Sequence, residues 1–535
     1  MQSLFIQYVY LILIILALVL LANKLRLAYP IVLVLGGLLL SLTAVFSHVT
    51  IDPELVFLIF LPPLLYEAAW TTSWKEFWKW RRVITSFAFP IVILTSCVVA
   101  FVSNALIPGF TVALGFLLGG IVSPPDAVSA TTIMRGVTVP RSLSSIIEGE
   151  SLLNDASSLI VFRFALAAVI TGQFHFGEAS VSFFLVIVMG TLIGLLVGAI
   201  FYLIHRWLPT TPSIDIVLTL VTPYCMYYAA EHFHFSGVLA VVSGGLFLSG
   251  KRQSMLNYRS RIEGINVWTS LVFVLNGLIF LLIGLQLPTI SQQLGDVSLS
   301  TAIGYGLAIS LLLIITRLAC TFGAALFTRV ASNFITVADA NPGWKLPFIA
   351  GWAGMRGVVS LAAALSIPVT IGEGAPFPYR NLILFITFVV ILVTLVFQGL
   401  TLPWLIKKVK LEDKNQLVPV DEQEIIIQKK LALRSLELLQ EKYGSVYDQN
   451  PHLKLLFSRF QTEIDFHSKD TADGGTNRDT LKSYQDIYLD LLEQQRVFLL
   501  QINRQSEFDE ELIRKYLALI DLEELKLRGR FETEL

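Results

Sequence analysis

Long hydrophobic runs follow one another along most of the chain, separated by short polar breaks. A membrane-spanning helix needs about 20 predominantly apolar residues. Runs of that length predict thirteen transmembrane helices, near residues 4–23, 28–48, 54–70, 83–107, 111–132, 143–171, 181–204, 214–230, 236–250, 264–287, 301–328, 346–371 and 380–405.

Composition supports an all-α membrane protein. Hydrophobic residues make up 55% of the 535 positions and charged residues 15%, and the mean hydropathy is +0.69. These values exclude a set of ordinary soluble domains. The first run is too long for a typical signal-peptide core and is followed by Lys24 and Arg26 instead of a cleavage site, so we expect it to remain as a helix.

Positive charges are distributed unevenly among the predicted loops. Eighteen Lys and Arg residues lie in alternate loops, whereas the opposite set of loops contains only Arg380. Because short cytoplasmic loops are enriched in Lys and Arg, the pattern predicts a multi-pass protein of the cell membrane. Its N-terminus is expected outside and its C-terminus in the cytoplasm.

The last part of the chain has a different pattern. Apolar residues recur at helical spacing within charged sequence at 425–439, 484–500 and 512–525. We therefore predict two domains: a transmembrane domain at residues 1–410 and a small helical cytoplasmic domain at residues 411–535. A role in regulation or assembly is expected for the second.

Several charged side chains fall inside or at the edge of predicted helices. Each costs at least ~2.5–3.5 kcal/mol at the bilayer centre and therefore indicates a function or a buried partner. They are Glu67, Asp126, Glu148, Glu150, Asp155, Arg163, Arg317 and Arg356.

The fifth predicted helix contains two consecutive prolines. Pro124 and Pro125 lack N–H donors, so the carbonyls of Gly120 and Ile121 lose their helical partners. Free carbonyls inside a membrane are tolerated where they line a cavity or meet a cation. A plain proline kink is the alternative, but Asp126 directly after the break favours a functional interruption.

The sixth predicted helix carries a polar stripe. Glu148, Ser151 and Asp155 share one face, and Glu150 and Asn154 form a neighbouring one. A carboxylate and a hydroxyl one turn apart are the hard oxygen ligands that small cations favour. Polar contacts between helices are the alternative.

The twelfth predicted helix is also interrupted. Three glycines surround Arg356, whose buried charge needs an acid, and Glu150 is the predicted partner. An arginine that only extends to the interface is the alternative. Helices one to six and eight to thirteen are expected to form two inverted six-helix repeats, which places the two broken helices in corresponding positions, a pointer to a transporter's binding site.

These motifs resemble those of a known family. Gly149-Glu-Ser-Leu-Leu-Asn-Asp155, with Ser-Pro-Pro-Asp126 before it and Gly-Met-Arg356-Gly after it, is similar to the monovalent cation:proton antiporters of the sodium/proton exchanger type, and closest to the bacterial branch. The resemblance extends over all thirteen predicted helices. It implies a secondary active transporter, not an enzyme, that exchanges Na⁺ for H⁺, with no cofactor.

The resemblance also implies roles for individual residues. Asp155 would carry the cation or the proton, with Ser151 and Glu67 as further Na⁺ ligands. Asn154 stands where electrogenic relatives have a second Asp, which implies electroneutral exchange, and it would hydrogen-bond to Asp126 in the unwound segment. Glu150 and Arg356 would form a structural ion pair.

One departure leaves the ion open. Pro125 precedes Asp126 where many relatives have Thr, so only the Pro125 backbone carbonyl is a possible ligand there. Potassium or lithium therefore remains an alternative to sodium. A cation channel and an intramembrane aspartyl protease that uses Asp126 and Asp155 are further alternatives.

Most of the remaining charged and cysteine residues are expected to be structural, and for one of them two roles are possible. Arg163 would either act on Asp155 or form an ion pair near the outer mouth, and Arg317 would be structural. Glu231, His232 and His234 are a weak candidate for a metal site. Cys97, Cys225 and Cys320 are expected to be core residues.

A single site explains the predicted exchange. A buried carboxylate binds either a proton or a cation, so the two compete for Asp155. Alternating exposure of that site to the two sides then gives exchange without a second path. The resemblance implies that helices four to six and eleven to thirteen move against the remainder, which forms a homodimer interface. Expected partners are Na⁺, H⁺ and the lipid bilayer, with no nucleic acid.

Overall fold

The computed structural model describes residues 2–41, 56–134, 136–173, 176–292, 294, 297–334, 337–339, 341–371, 375–411, 420–447, 450–469, 476–502 and 510–531. The chain forms two compact units, Met1–Asp413 and Lys414–Leu535.

In its described residues, the first unit is built from helices and one small hairpin of two-residue antiparallel strands, Thr370–Ile371 and Ala375–Pro376. The helices are α1 Gln2–Leu25, α2 Tyr29–Ser41, α3 Leu61–Thr71, α4 Trp74–Leu106, α5a Val112–Val122, α5b Ala127–Met134, α6 Arg141–Thr171, α7 Phe176–Trp207, α8 Pro212–His232, α9 Gly237–Met255, α10 Tyr258–Gln292, α11 Leu299–Ala331, α12a Lys345–Trp352, α12b Val358–Leu365 and α13 Arg380–Val409.

Among the described residues, eight helices are long and apolar enough to cross a membrane. The predicted fifth and twelfth helices are interrupted, at residues 123–126 and 353–357. Parts of the predicted spans 28–48 and 54–70 fall at residues 42–55, outside the described residues.

One predicted boundary was wrong. Helix α4 begins at Trp74, not at residue 83. The segment before 83 is rich in Trp, Lys and Arg, a composition that favours a loop between two spans. It is helical because Ser73 caps it, its hydroxyl accepting the Glu76 N–H at 3.5 Å, and because an amphipathic turn of this kind suits the edge of a membrane.

Close helix contacts hold the interrupted segments in place. Helix α5a packs against α4 so tightly that a Cβ at Gly119 would lie 2.6 Å from the Ser96 carbonyl oxygen. An apolar cluster that includes Phe110, Leu117 and Phe385 fills the space around α5a, α12b and α13. The outward face of α7, in contrast, exposes large apolar side chains such as Phe184 and Leu196, as expected for contact with lipid.

The second unit is helical, with α14 Val420–Tyr447, α15 Pro451–Lys469, α16 Thr476–Ile502 and α17 Glu510–Phe531. Helix α15 was not predicted, although Leu453, Leu456, Phe457 and Phe460 recur at helical spacing. The polar sequence 470–479, which precedes the predicted 484–500 helix, lies partly outside the described residues.

Candidate functional site

The break in α5 is stabilised by its own aspartate. The chain leaves the helix at Ser123 and re-enters it at Ala127. The Asp126 carboxylate accepts the N–H of Val128 at 3.0 Å, the N–H of Ser129 at 3.3 Å and the Ser129 hydroxyl at 2.5 Å. Asp126 is therefore the N-cap of α5b, and its negative charge lies at the positive end of that half-helix.

The break in α12 carries an arginine that serves the other broken helix. Arg356 is 1% exposed. Its guanidinium donates to the carbonyls of Val122 at 2.9 Å and Ser123 at 3.3 Å, and also to that of Gly354. The first two carbonyls belong to the C-terminal end of α5a, where orphan acceptors and the helix dipole favour a cation.

The two breaks contact each other through the backbone. The N–H of Asp126 donates to the carbonyl of Met355 at 2.7 Å. A Cβ at Gly357 would lie 2.3 Å from Asp126 Oδ2. Glycine is therefore required at this position by space, because any side chain would displace the capping carboxylate.

Helix α6 supports the break from a third side. The Ser151 hydroxyl accepts the N–H of Ala127 at 3.2 Å, and the Asn154 side-chain amide donates to the Pro125 carbonyl at 3.0 Å. The predicted hydrogen bond from Asn154 to Asp126 is therefore wrong. The Asp126 carboxylate is already used by the N-terminus of α5b, whereas the break leaves the Pro125 carbonyl without a helical donor.

Asp155 differs from every other acid at this centre. It is 7% exposed, and within the described part of the chain its carboxylate forms no hydrogen bond or ion pair. It faces a cavity of about 800 Å³ that is also lined by Glu67, Pro125, Asp126 and Ser151. The structure thus brings together all of the predicted cation-site residues except Asn154, which is fully buried next to the cavity.

The cavity extends from Asp155 to one surface of the molecule. Its lining includes the exposed residues Thr71 and Thr138 and the half-buried Glu148. On the other side of Asp155, α6 enters the apolar surroundings of Phe162 and Ala165. Water and small ions therefore have access to Asp155 from one side.

The predicted ion pair between Glu150 and Arg356 is replaced by another. Glu150 accepts two hydrogen bonds from Arg317 on α11, at 2.6 and 2.7 Å, and the two side chains are 1% and 4% exposed. The planar guanidinium matches the carboxylate with two parallel bonds. Arg356 is instead engaged by helix carbonyls, a role that the sequence pattern did not reveal.

The structure shows three further contacts. The sequence left two roles possible for the first residue, Arg163, and did not predict the other two contacts. Arg163 pairs with Glu231 at 2.7 Å, so Glu231 is engaged by a cation from its own chain. Thr394 accepts the backbone N–H of Arg356 at 3.1 Å. The contact of Ser129 with Asp126 could have been predicted from the sequence. Ser129 follows Asp126 by three positions, which is the spacing between an N-cap residue and the helical residue whose N–H it accepts.

Two interrupted helices that meet at buried charged groups beside a cavity define the site of a secondary transporter. The sequence model of the sodium/hydrogen exchanger transmembrane region matches residues 10–408. The chain belongs to the sodium/hydrogen exchanger family and is a multi-pass membrane protein, which confirms the family predicted from the motifs.

Relatives are similar over most of the chain. An uncharacterized Na⁺/H⁺ exchanger of Mycobacterium tuberculosis is 31% identical, covering 96% of this chain and 94% of that protein. A sodium, potassium, lithium and rubidium/H⁺ antiporter of Bacillus pumilus is 33% identical, covering 77% of this chain and 62% of that protein.

The solved structure of the sodium proton antiporter MjNhaP1 from Methanocaldococcus jannaschii has the same fold. Its TM-score is 0.59 at 18% identity, and the match covers 76% of this chain and 99% of that one.

Proposed function

We propose that this chain exchanges Na⁺ for H⁺ across the cell membrane, with Asp155 as the group that binds either ion. The observation that carries this proposal is that the Asp155 carboxylate has no hydrogen-bond or ion-pair partner among the described residues. It faces a cavity of about 800 Å³, whereas Asp126 and Glu150 are both engaged by protein donors.

Competition at one carboxylate accounts for the coupling. A partnerless carboxylate in a poorly solvated site is stable when it is protonated or when a cation is bound. One Na⁺ that replaces one proton leaves the charge of the site unchanged, so the exchange is electroneutral. Asn154 fits this scheme because it adds no second titrating group next to Asp155.

The neighbouring polar groups have different tasks. Ser151 and Glu67 would complete the Na⁺ coordination together with Asp155, and the Pro125 carbonyl retains a lone pair beyond the one that Asn154 occupies. Asp126 and Arg356 would maintain the geometry of the two breaks. Rigid ligand spacing is what allows a site to discriminate among cations by size.

The orientation in the membrane is inferred from the distribution of positive charges among the loops. Thirteen spans in two inverted repeats, with the N-terminus outside, would place Thr71 and Thr138 at the cytoplasmic side, so this conformation is open to the cytoplasm. Alternating access would then move α4–α6 and α11–α13 against the other helices, which would form the interface of a homodimer. Residues 411–535 would be a cytoplasmic regulatory domain.

Potassium is the second candidate ion. The Bacillus pumilus relative is named as an antiporter of sodium, potassium, lithium and rubidium. Pro125 in place of a side-chain hydroxyl also leaves fewer ligands to select a small ion.

The test is exchange in proteoliposomes. A pH gradient is imposed across the vesicle membrane, and Na⁺, Li⁺ or K⁺ is added in turn. A pH-sensitive dye then reports how fast each cation dissipates the pH gradient, both at zero membrane potential and at an imposed membrane potential. We expect saturable dissipation by Na⁺ that is independent of the potential. Dissipation by none of these cations would refute the proposal, and a single-channel current would indicate a channel.

A further inference from the structure

A second cavity lies further along α6 from Asp155. Its volume is about 380 Å³, and its lining includes Leu159, Arg163, Glu231 and Ser366. Among the described residues of α6, Asp155 is the last that lines the first cavity. Leu159 is one helical turn beyond Asp155, so the two cavities are separated along α6 by a single turn.

An ion pair lines the second cavity. One guanidinium nitrogen of Arg163 lies 2.8 and 2.7 Å from the two oxygens of Glu231. Arg163 is two turns beyond Asp155 on the same helix, a rise of about 12 Å. The side chains are 46% and 28% exposed, so the pair is accessible from the molecular surface.

The same carboxylate also connects two other helices. Glu231 lies in the last turn of α8, and its Oε1 accepts the N–H of Gly237 at 3.1 Å, in the first turn of α9. The salt bridge therefore ties the helix that carries Asp155 to the junction between α8 and α9. In the membrane arrangement proposed above, α6 moves and α8 and α9 do not.

We propose that Arg163 and Glu231 form the outer gate of the ion path and that the second cavity is its outer vestibule. This inference rests on the proposed function. Opening the path to the outside requires α6 to move away from the α8–α9 junction, which separates the pair. Glu231 then faces the vestibule as a free carboxylate and attracts monovalent cations.

In the closed state the Arg163 guanidinium occupies the place of an arriving cation at Glu231. This makes the gate sensitive to the external cation concentration, because cation binding at Glu231 competes with Arg163. A partly exposed pair contributes modestly to a conformational equilibrium, so we expect its loss to shift the ratio of outward to inward states by about fivefold.

Labelling at Leu159 tests the gate without measuring transport. Leu159→Cys is introduced in a chain in which Cys97, Cys225 and Cys320 are replaced by alanine. A membrane-impermeant maleimide is then applied to intact cells and, separately, to everted vesicles. Arg163→Gln and Glu231→Gln should each raise the labelling rate in intact cells about fivefold. The glutamine at 231 retains an oxygen for the Gly237 N–H.

Three controls define the outcome. Arg259→Gln removes a cation from an exposed pair within one helix, Arg259–Glu263, and should leave the rate unchanged. Arg163→Lys keeps the charge and should give a rate close to that of the parent. The double variant should label no faster than either single variant, since both remove one interaction.

Equal labelling of Arg163→Gln and the parent, or labelling only in everted vesicles, would overturn the gate. Because the readout is accessibility, a chain that fails to exchange Na⁺ for H⁺ can still show the gate. Failure of the two proposals is thereby distinguished.

Discussion

The backbone N–H of Asp126 donates a hydrogen bond of 2.7 Å to the carbonyl of Met355. This bond joins the interruptions of two helices that are more than two hundred residues apart in sequence. Each interruption leaves donors and acceptors that would be costly in a membrane. The two satisfy one another, and Asp155 on α6 lies beside the junction with no partner for its carboxylate in the part of the chain that the structure describes.

Asp155→Asn should abolish cation-driven proton movement in proteoliposomes. The amide is similar in shape but cannot exchange a proton for a cation. Because the described residues give the Asp155 carboxylate no hydrogen-bond partner, the substitution should leave the melting temperature unchanged. Asp339→Asn, in a polar loop, should retain full exchange. Retained exchange in Asp155→Asn would contradict the assignment.

Asp126 should respond differently from Asp155. Asparagine is a good N-cap, so Asp126→Asn should retain exchange with a weaker apparent cation affinity. Asp126→Ala removes the cap and should cost about 1 kcal/mol of stability or more. Thermal melting and the cation dependence of exchange measure the two effects. Complete loss of exchange in a stable Asp126→Asn protein would instead give Asp126 an ion-carrying role.

Gly357→Ala should disrupt the junction. The added Cβ would lie 2.3 Å from Asp126 Oδ2, which displaces the cap of α5b. We expect lower thermal stability and loss of exchange. Gly304→Ala is the matched control, because a Cβ there meets nothing within 4 Å and alanine in a helix is favoured by roughly 0.5–1 kcal/mol. Normal exchange in Gly357→Ala would show that the junction tolerates displacement.

The pairing of Glu150 is testable by a double-mutant cycle. Glu150→Gln and Arg317→Met should each destabilise the protein by about 3–5 kcal/mol, since each strands a buried charge. Their double variant should be far less destabilised than the sum, whereas Glu150→Gln with Arg356→Met should be closer to additive. Thermal melting in detergent measures the three single variants, including Arg356→Met, and the two double variants. A stronger coupling of Glu150 to Arg356 than to Arg317 would restore the pairing predicted from sequence.

Arg496 should make the second unit sensitive to acid. It donates to Glu524 and, at 2.8 Å, to Asp521, which joins α16 to α17. Hydrogen bonds from Arg496 and then Arg528 lower the pKa of Glu524. A lowered folded pKa gives stability that is present above the unfolded pKa, about 4.3 for Glu, and that is lost as pH falls through the folded value.

Hydrogen exchange of α16 and α17 in the full chain, compared at pH 6 and below pH 4, measures this effect. We expect exchange protection to fall at acid pH in the parent and to depend less on pH in Arg496→Gln. Arg434→Gln removes a pair within one helix, Arg434–Glu437, and should behave like the parent. An unchanged pH dependence in Arg496→Gln would exclude this network as its source.

The features that depend on local chemistry could be predicted from the amino-acid sequence. Apolar runs of membrane length, the Pro124–Pro125 break and the glycines around Arg356 each act through the backbone of their own segment, so they are visible without a fold. The motif around Asp155 identified the family for the same reason, since its spacing places the polar groups on one helix face.

Which polar groups satisfy each other could be read only from the folded structure. Two buried arginines were available to Glu150, and the sequence cannot tell that Arg356 is engaged by the end of α5a while Arg317 on α11 reaches the carboxylate. Likewise, Asn154 meets the Pro125 carbonyl because Asp126 already caps α5b. Hydrogen-bond partners across helices depend on distances between segments that are remote in sequence, and these distances are set by packing.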